Sequence, residues 1–192
     1  MKFKIYAHRF TLSAFVIALL VASAFAIGCG GSSDSAYKDI DWQLTIIGDE
    51  EIVLEFQELL DMDACSGTSG FFTTVGIVNG PFDIKGVTLL DLCDLAGGVE
   101  TTEFVRISAV DHYSMVFSYN QLHGEFITYN TSLREVENDG LTVAIIYEQD
   151  GAPLTEDCGR PLRVALIGDN VLTEGMYWVK WINKIEVLNF DE

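Results

Sequence analysis

Two segments near the carboxyl end place the tightest constraint on this chain. Cys158-Gly159-Arg160-Pro161-Leu162-Arg163 carries a Gly-x-Pro-Leu-Arg turn, and the apolar run that follows it to Gly168 reads as a strand. After a short loop, Tyr177-Trp178-Val179-Lys180-Trp181 leads into an alternating stretch, residues 181–188, that reads as another. Turn chemistry on one side and a period of two on the other put both segments in a sheet.

The same reading upstream gives many short elements. Residues 42–47 and 52–56 alternate as strands around the turn Gly48-Asp49-Glu50-Glu51, and residues 57–62 read as a short helix. Residues 71–78 are rich in aromatic and β-branched side chains and read as a strand, closed by a turn at Asn79-Gly80-Pro81. A helix over 89–96 has Thr88 as its N-cap and Gly97-Gly98 as its stop. Residues 104–110 and 113–119 are strands about the tight link Asp111-His112, residues 120–125 a short turn or helix, and 130–140 a polar loop. Residues 141–148 form a strongly apolar strand, followed by the turn Gln149-Asp150-Gly151-Ala152-Pro153. Short strands with two or three short helices predict one α+β domain.

The amino end reads differently. Lys2, Lys4 and Arg9 precede an almost unbroken apolar run, residues 10–27, the layout of an export signal. The run meets Ala26-Ile27-Gly28-Cys29 and then Gly30-Gly31-Ser32-Ser33. Small residues before a cysteine and a flexible tether after it resemble a bacterial lipoprotein signal, cut before Cys29 and acylated on its thiol. A retained transmembrane anchor or an ordinary secretory signal would explain the apolar run but neither the cysteine nor the tether. The expected organisation is a signal over 1–28, a tether over 29–40 and a domain over 41–190. The protein is then exported and held to a membrane, periplasmic or at the cell surface, by acyl chains.

Removing the signal takes three basic residues and no acidic one, so 8 Lys and Arg face 29 Asp and Glu, a formal charge near −21. A body this acidic repels nucleic acid, which is excluded as a partner. Cys65, Cys93 and Cys158 remain beyond Cys29, with no Cys-x-x-Cys or Cys/His cluster that would suggest zinc. Cys93 lies in the helical pattern as a small core residue. Cys65 and Cys158 read as loop residues beside glycines, and either a disulfide between them or two free thiols is compatible with the sequence.

Several of these segments together resemble the oxidoreductase molybdopterin-binding domain, the fold of sulfite oxidase and of the catalytic subunit of periplasmic methionine sulfoxide reductase. The resemblance rests on Trp42-Gln43-Leu44-Thr45-Ile46-Ile47-Gly48, Gly86-Val87-Thr88-Leu89-Leu90-Asp91-Leu92, Ala109-Val110-Asp111-His112-Tyr113 and the two terminal motifs. These pieces span residues 42–188 in the expected order. The resemblance implies a sulfite-oxidase-like α+β fold of mixed sheets and short helices, and a molybdopterin cofactor. By position it makes Arg163 and Lys180 the candidates for the cofactor phosphate, with His112 a third at its turn. Read as structure instead, Arg163 would pair with Asp157 and Lys180 would lie along Trp178 and Trp181.

The chain departs from the family pattern at the metal. Catalytic members carry a cysteine after the strand that precedes the Gly-Val-x-Leu helix, and its sulfur binds molybdenum. Here that region reads Thr73-Thr74-Val75-Gly76-Ile77-Val78-Asn79-Gly80, without a thiol. Cys65, ahead of the strand, is the remaining sulfur candidate. Two functions follow. One is a molybdopterin-dependent oxidoreductase-type domain, non-catalytic or atypical for want of the metal-ligand cysteine. The other is a non-enzymatic lipoprotein that reuses the fold to bind a small molecule or a partner protein, redox partners included.

Overall fold

A computed structural model of the chain describes residues 36–189. The expected signal, Cys29 and most of the tether lie outside the described residues. The strands are β1 (Gln43–Ile47), β2 (Glu51–Glu55), β3 (Cys65–Phe72), β4 (Val78–Thr88), β5 (Glu103–Ala109) and β6 (Ser114–Ser118). They continue as β7 (Thr128–Tyr129), β8 (Glu135–Val136), β9 (Thr142–Gln149), β10 (Ala152–Pro153), β11 (Arg163–Ile167), β12 (Leu172–Glu174) and β13 (Ile182–Asn189). Three short helices interrupt them: α1 (Phe56–Leu60), α2 (Leu89–Asp94) and α3 (Tyr119–Leu122).

The strands form two mixed sheets, as the α+β reading expects. One runs β2-β1-β13-β5-β6, with β1 and β13 parallel and the other neighbours antiparallel. The larger runs β10-β9-β4-β3-β12-β7-β8, and β11 pairs with β9. Alternation sets which faces are buried. Leu44 and Ile46 of β1, and Val105 and Ile107 of β5, join Ile182 and Ile185 in the main core, with neighbours of opposite parity more exposed. Each such side chain, fully removed from water, stabilises the fold by about 1.5–3 kcal/mol.

β9 and β11 are covered on both faces, which explains their unbroken apolar sequence. Val143, Ile145, Val164 and Leu166 point into the main core, while Ala144, Ile146 and Ala165 join Ile84, Leu154 and Trp178 in a second cluster. Arg163 shares the parity of Ala165 and pairs with Ile146, so its side chain enters this second cluster.

Local chemistry ends the elements where the sequence says. The Thr88 hydroxyl accepts from the Asp91 amide and caps α2. Ser118 and Gln121 form a reciprocal capping box at α3. At the start of the body, Tyr37 is 6 % exposed, although its sequence places it in the tether. Its ring packs 6.1 Å from Phe56 and 5.9 Å from Tyr147, and its hydroxyl donates to Glu148 Oε2 at 2.9 Å. Tyr37 thus packs with the compact unit that the described residues form from Ala36 onward.

Three expectations are corrected. Asn79-Gly80-Pro81 is part of β4, because a bulge between Ser69 and Phe71 of β3 sets Gly70 against Gly80. Residues 73–77 form the turn instead, with Thr73 N–H donating to the Ile77 carbonyl at 2.9 Å. Cys65 opens β3 rather than lying in a loop, opposite Gly86.

Candidate functional site

The two terminal motifs meet. Arg163 and Lys180 face each other in an isolated antiparallel bridge, flanked by bonds from Val164 N–H to the Val179 carbonyl (2.8 Å) and Ile182 N–H to the Leu162 carbonyl (3.2 Å). Gly159 makes this approach possible. Its φ is +98°, and a Cβ there would stand 2.7 Å from Lys180 Cβ.

The two cations end in different surroundings. Arg163 is 4 % exposed, with its guanidinium 4.9 Å from the Phe71 ring centre and 5.1 Å from that of Trp178. It pairs with no carboxylate among the described residues, Asp157 included, and its buried Nε has no acceptor. Burial holds its pKa down to about 10, against a smaller opposing contribution from Cys158. The Lys180 ammonium donates to the Asp157 carbonyl and lies 5.7 Å from the Trp181 ring centre. It follows the aromatic surface as the structural alternative expects, beside Trp181.

His112 occupies the β5–β6 turn, exposed, at φ +70°. Its neighbour Tyr113 is the residue that reaches a cavity, and its hydroxyl donates to the Met176 carbonyl at 3.0 Å. That cavity, about 430 Å³, lies where β3 and β12 end and is lined by Phe71, Phe72, Thr73, Tyr113, Glu174 and Met176 among others. Arg163, Lys180 and His112 are not in its lining. Glu174 is its one charged side chain and has no hydrogen-bond or ion-pair partner among the described residues. Burial, and then the Glu174 charge, push the nearby Tyr177 phenol above its ordinary range. The sequence pointed to this corner through the Ala109-to-Tyr113 motif, but the pairing of β3 with β12 that builds the cleft is non-local.

The thiols are free. Cys65 and Cys158 form no disulfide; the Cys65 thiol donates to the Gly86 carbonyl at 3.4 Å, and each side chain packs on the second apolar cluster. Burial raises the pKa of Cys65 and pushes that of Cys93 up to about 12, Asp94 adding to the latter. No group of three His, Cys, Asp or Glu that could hold a metal occurs among the described residues.

The family description of the oxidoreductase molybdopterin binding domain matches residues 32–192. The chain belongs to this family. A search of the curated proteins finds no match. Among solved structures, the sulfane dehydrogenase SoxCD from Paracoccus pantotrophus superposes with a TM-score of 0.57 at 17% sequence identity. The match covers 76% of this chain and 38% of that one, so the likeness is one of fold, and the chain spans well under half of that protein's length.

Molybdopterin is the cofactor of the family, and the residues here fit it poorly. The turn after β3 offers only hydroxyl and apolar side chains, with no sulfur for the metal. Cys65 stands at the other end of β3, about 23 Å from Phe72 at the usual rise per strand residue. The charged group that lines the cleft is a carboxylate, which repels a phosphate.

Proposed function

We propose that this protein is an exported lipoprotein whose molybdopterin-binding-type domain performs no molybdenum chemistry and binds a small molecule in the cleft at the end of β3. The observation that carries the reading is the sulfur-free turn over residues 73–77, at the place where catalytic members present their metal ligand. Oxygen and carbon cannot replace a soft thiolate toward such a metal. The acidic lining and the closure of Arg163 between two rings support it further. Export and anchoring rest on the basic head, the apolar run and Cys29 before a Gly/Ser tether.

A second reading is favoured by one observation. Arg163 has a buried Nε without an acceptor, which leaves donor capacity for an anion such as the pterin phosphate. One experiment separates the two. The full chain is produced in a molybdenum-replete host, purified, dialysed against chelator, and measured for molybdenum and pterin fluorescence. The proposal expects neither; stoichiometric molybdenum would overturn it, and pterin without metal would favour the second reading. Anchoring is checked by fatty-acid labelling in cells, which Cys29→Ser should abolish.

A further inference from the structure

We infer that the cleft at the ends of β3 and β12 is a site for a small organic cation, an ammonium group carrying an apolar or aromatic substituent. The inference rests on the reading of a ligand-binding, metal-free domain and names the ligand class. Three features of the lining point the same way. Phe71, Phe72 and Tyr113 are three of the cleft's eight lining residues, and aromatic rings attract cations and exclude water. Glu174 supplies a single negative charge, and nothing among the described residues neutralises it. The cavity, about 430 Å³, lies within the range of small-ligand sites.

Charge decides between cation, neutral molecule and anion. Arg163 packs on the lining residue Phe71 at 4.9 Å but is 4 % exposed and lines no part of the cleft. The one charged residue of the lining is thus Glu174, on a chain with a formal charge of −18. A carboxylate in a half-enclosed apolar cleft is screened less than one on open surface, so its preference for a cation is the stronger there.

The test is titration of the full chain with benzyltrimethylammonium, with benzyl alcohol and phenylacetate as neutral and anionic comparisons, read by saturation-transfer NMR and calorimetry. Saturable binding of the cation is expected, with weaker binding of the alcohol and none of the acid. Glu174→Gln should weaken the cation by roughly tenfold and leave the alcohol unchanged. Thr74→Trp, at an exposed lining position, should block both by filling the cleft. Absence of saturable cation binding, equal affinity for alcohol and cation, or an unchanged affinity in Glu174→Gln each overturns the inference. Phenylacetate binding that is lost in Arg163→Met would also overturn it and assign the site to anions. The outcome is independent of metal analysis: molybdenum in a protein that still binds the cation would remove only the metal-free reading, and metal-free protein that ignores the cation would remove only this one.

Discussion

The guanidinium of Arg163 lies 5.1 Å from the centre of the Trp178 ring, inside an apolar cluster and without a carboxylate to pair with. Its folded-state pKa is depressed to about 10, so the fold disfavours the charged form at every pH below that value, and the cost is relieved only as pH rises through it. Arg163→Met, which keeps the volume and removes the charge, should therefore lie within about 1 kcal/mol of the parent or be more stable in urea unfolding at pH 7. Arg163→Glu, which removes the ring contacts and buries an anion, should abolish folding.

Gly159 is a position where a single methyl is costly. It is left-handed, and the atoms its Cβ would strike belong to Lys180, including that residue's Cα at 3.0 Å. Gly159→Ala should cost about 2–4 kcal/mol in urea unfolding. Gly151→Ala, also at positive φ but with open space around it, should cost only about 1 kcal/mol.

Glu186 accepts from Arg106 Nε at 2.9 Å and meets Lys184 at 3.2 Å; the Arg106 bond is the main reason its carboxyl sits below the usual range. A depressed carboxyl stabilises the fold above its unfolded value, near pH 4.3, and that contribution disappears as pH falls through the lower folded value. Glu186→Gln should lose about 0.5–1 kcal/mol at pH 7, a small figure because Arg106 is partly solvated, and should show a shallower loss than the parent below pH 5. Urea midpoints from pH 7 to pH 3 measure it.

Thiol chemistry checks the core. Cys93 is fully buried with its pKa at about 12, so iodoacetamide at pH 8 should modify it only after denaturation. Intact mass without reductant should show no Cys65–Cys158 bridge.

Tyr37 ties the amino-terminal end of the body to β9 through Tyr147 and Glu148. Tyr37→Ala should cost about 3 kcal/mol and Tyr37→Phe about 1 kcal/mol, whereas Lys38→Ala, at an exposed position, should be neutral.

Local signals carried much of this fold. Alternation in residues 43–47, 103–109 and 182–189, the Thr88 cap and the turn before β11 are all readable because the periodicity and the caps are short-range. β3 was half hidden: its first residues, Cys65-Ser66-Gly67-Thr68-Ser69-Gly70, have loop chemistry and are held extended by pairing with β4, β12 joining only from Gly70 onward. The site was less legible than the fold. Arg163 and Lys180 do come together, as their motifs suggest, but β3 supplies Phe71, which seals the arginine, and no spacing in the sequence announces that contact. Glu174 lies on a three-residue strand, too short for any pattern to mark.

The five-stranded sheet has β13 at its centre, between β1 and β5. Of all the described strands it is the last to leave a ribosome. Until it arrives, β1 with β2 and β5 with β6 are two separate hairpins with a gap between them, and the longest-range pairing among the described strands cannot form. The five-stranded sheet therefore closes only once its final described strand is available, however early the two hairpins form.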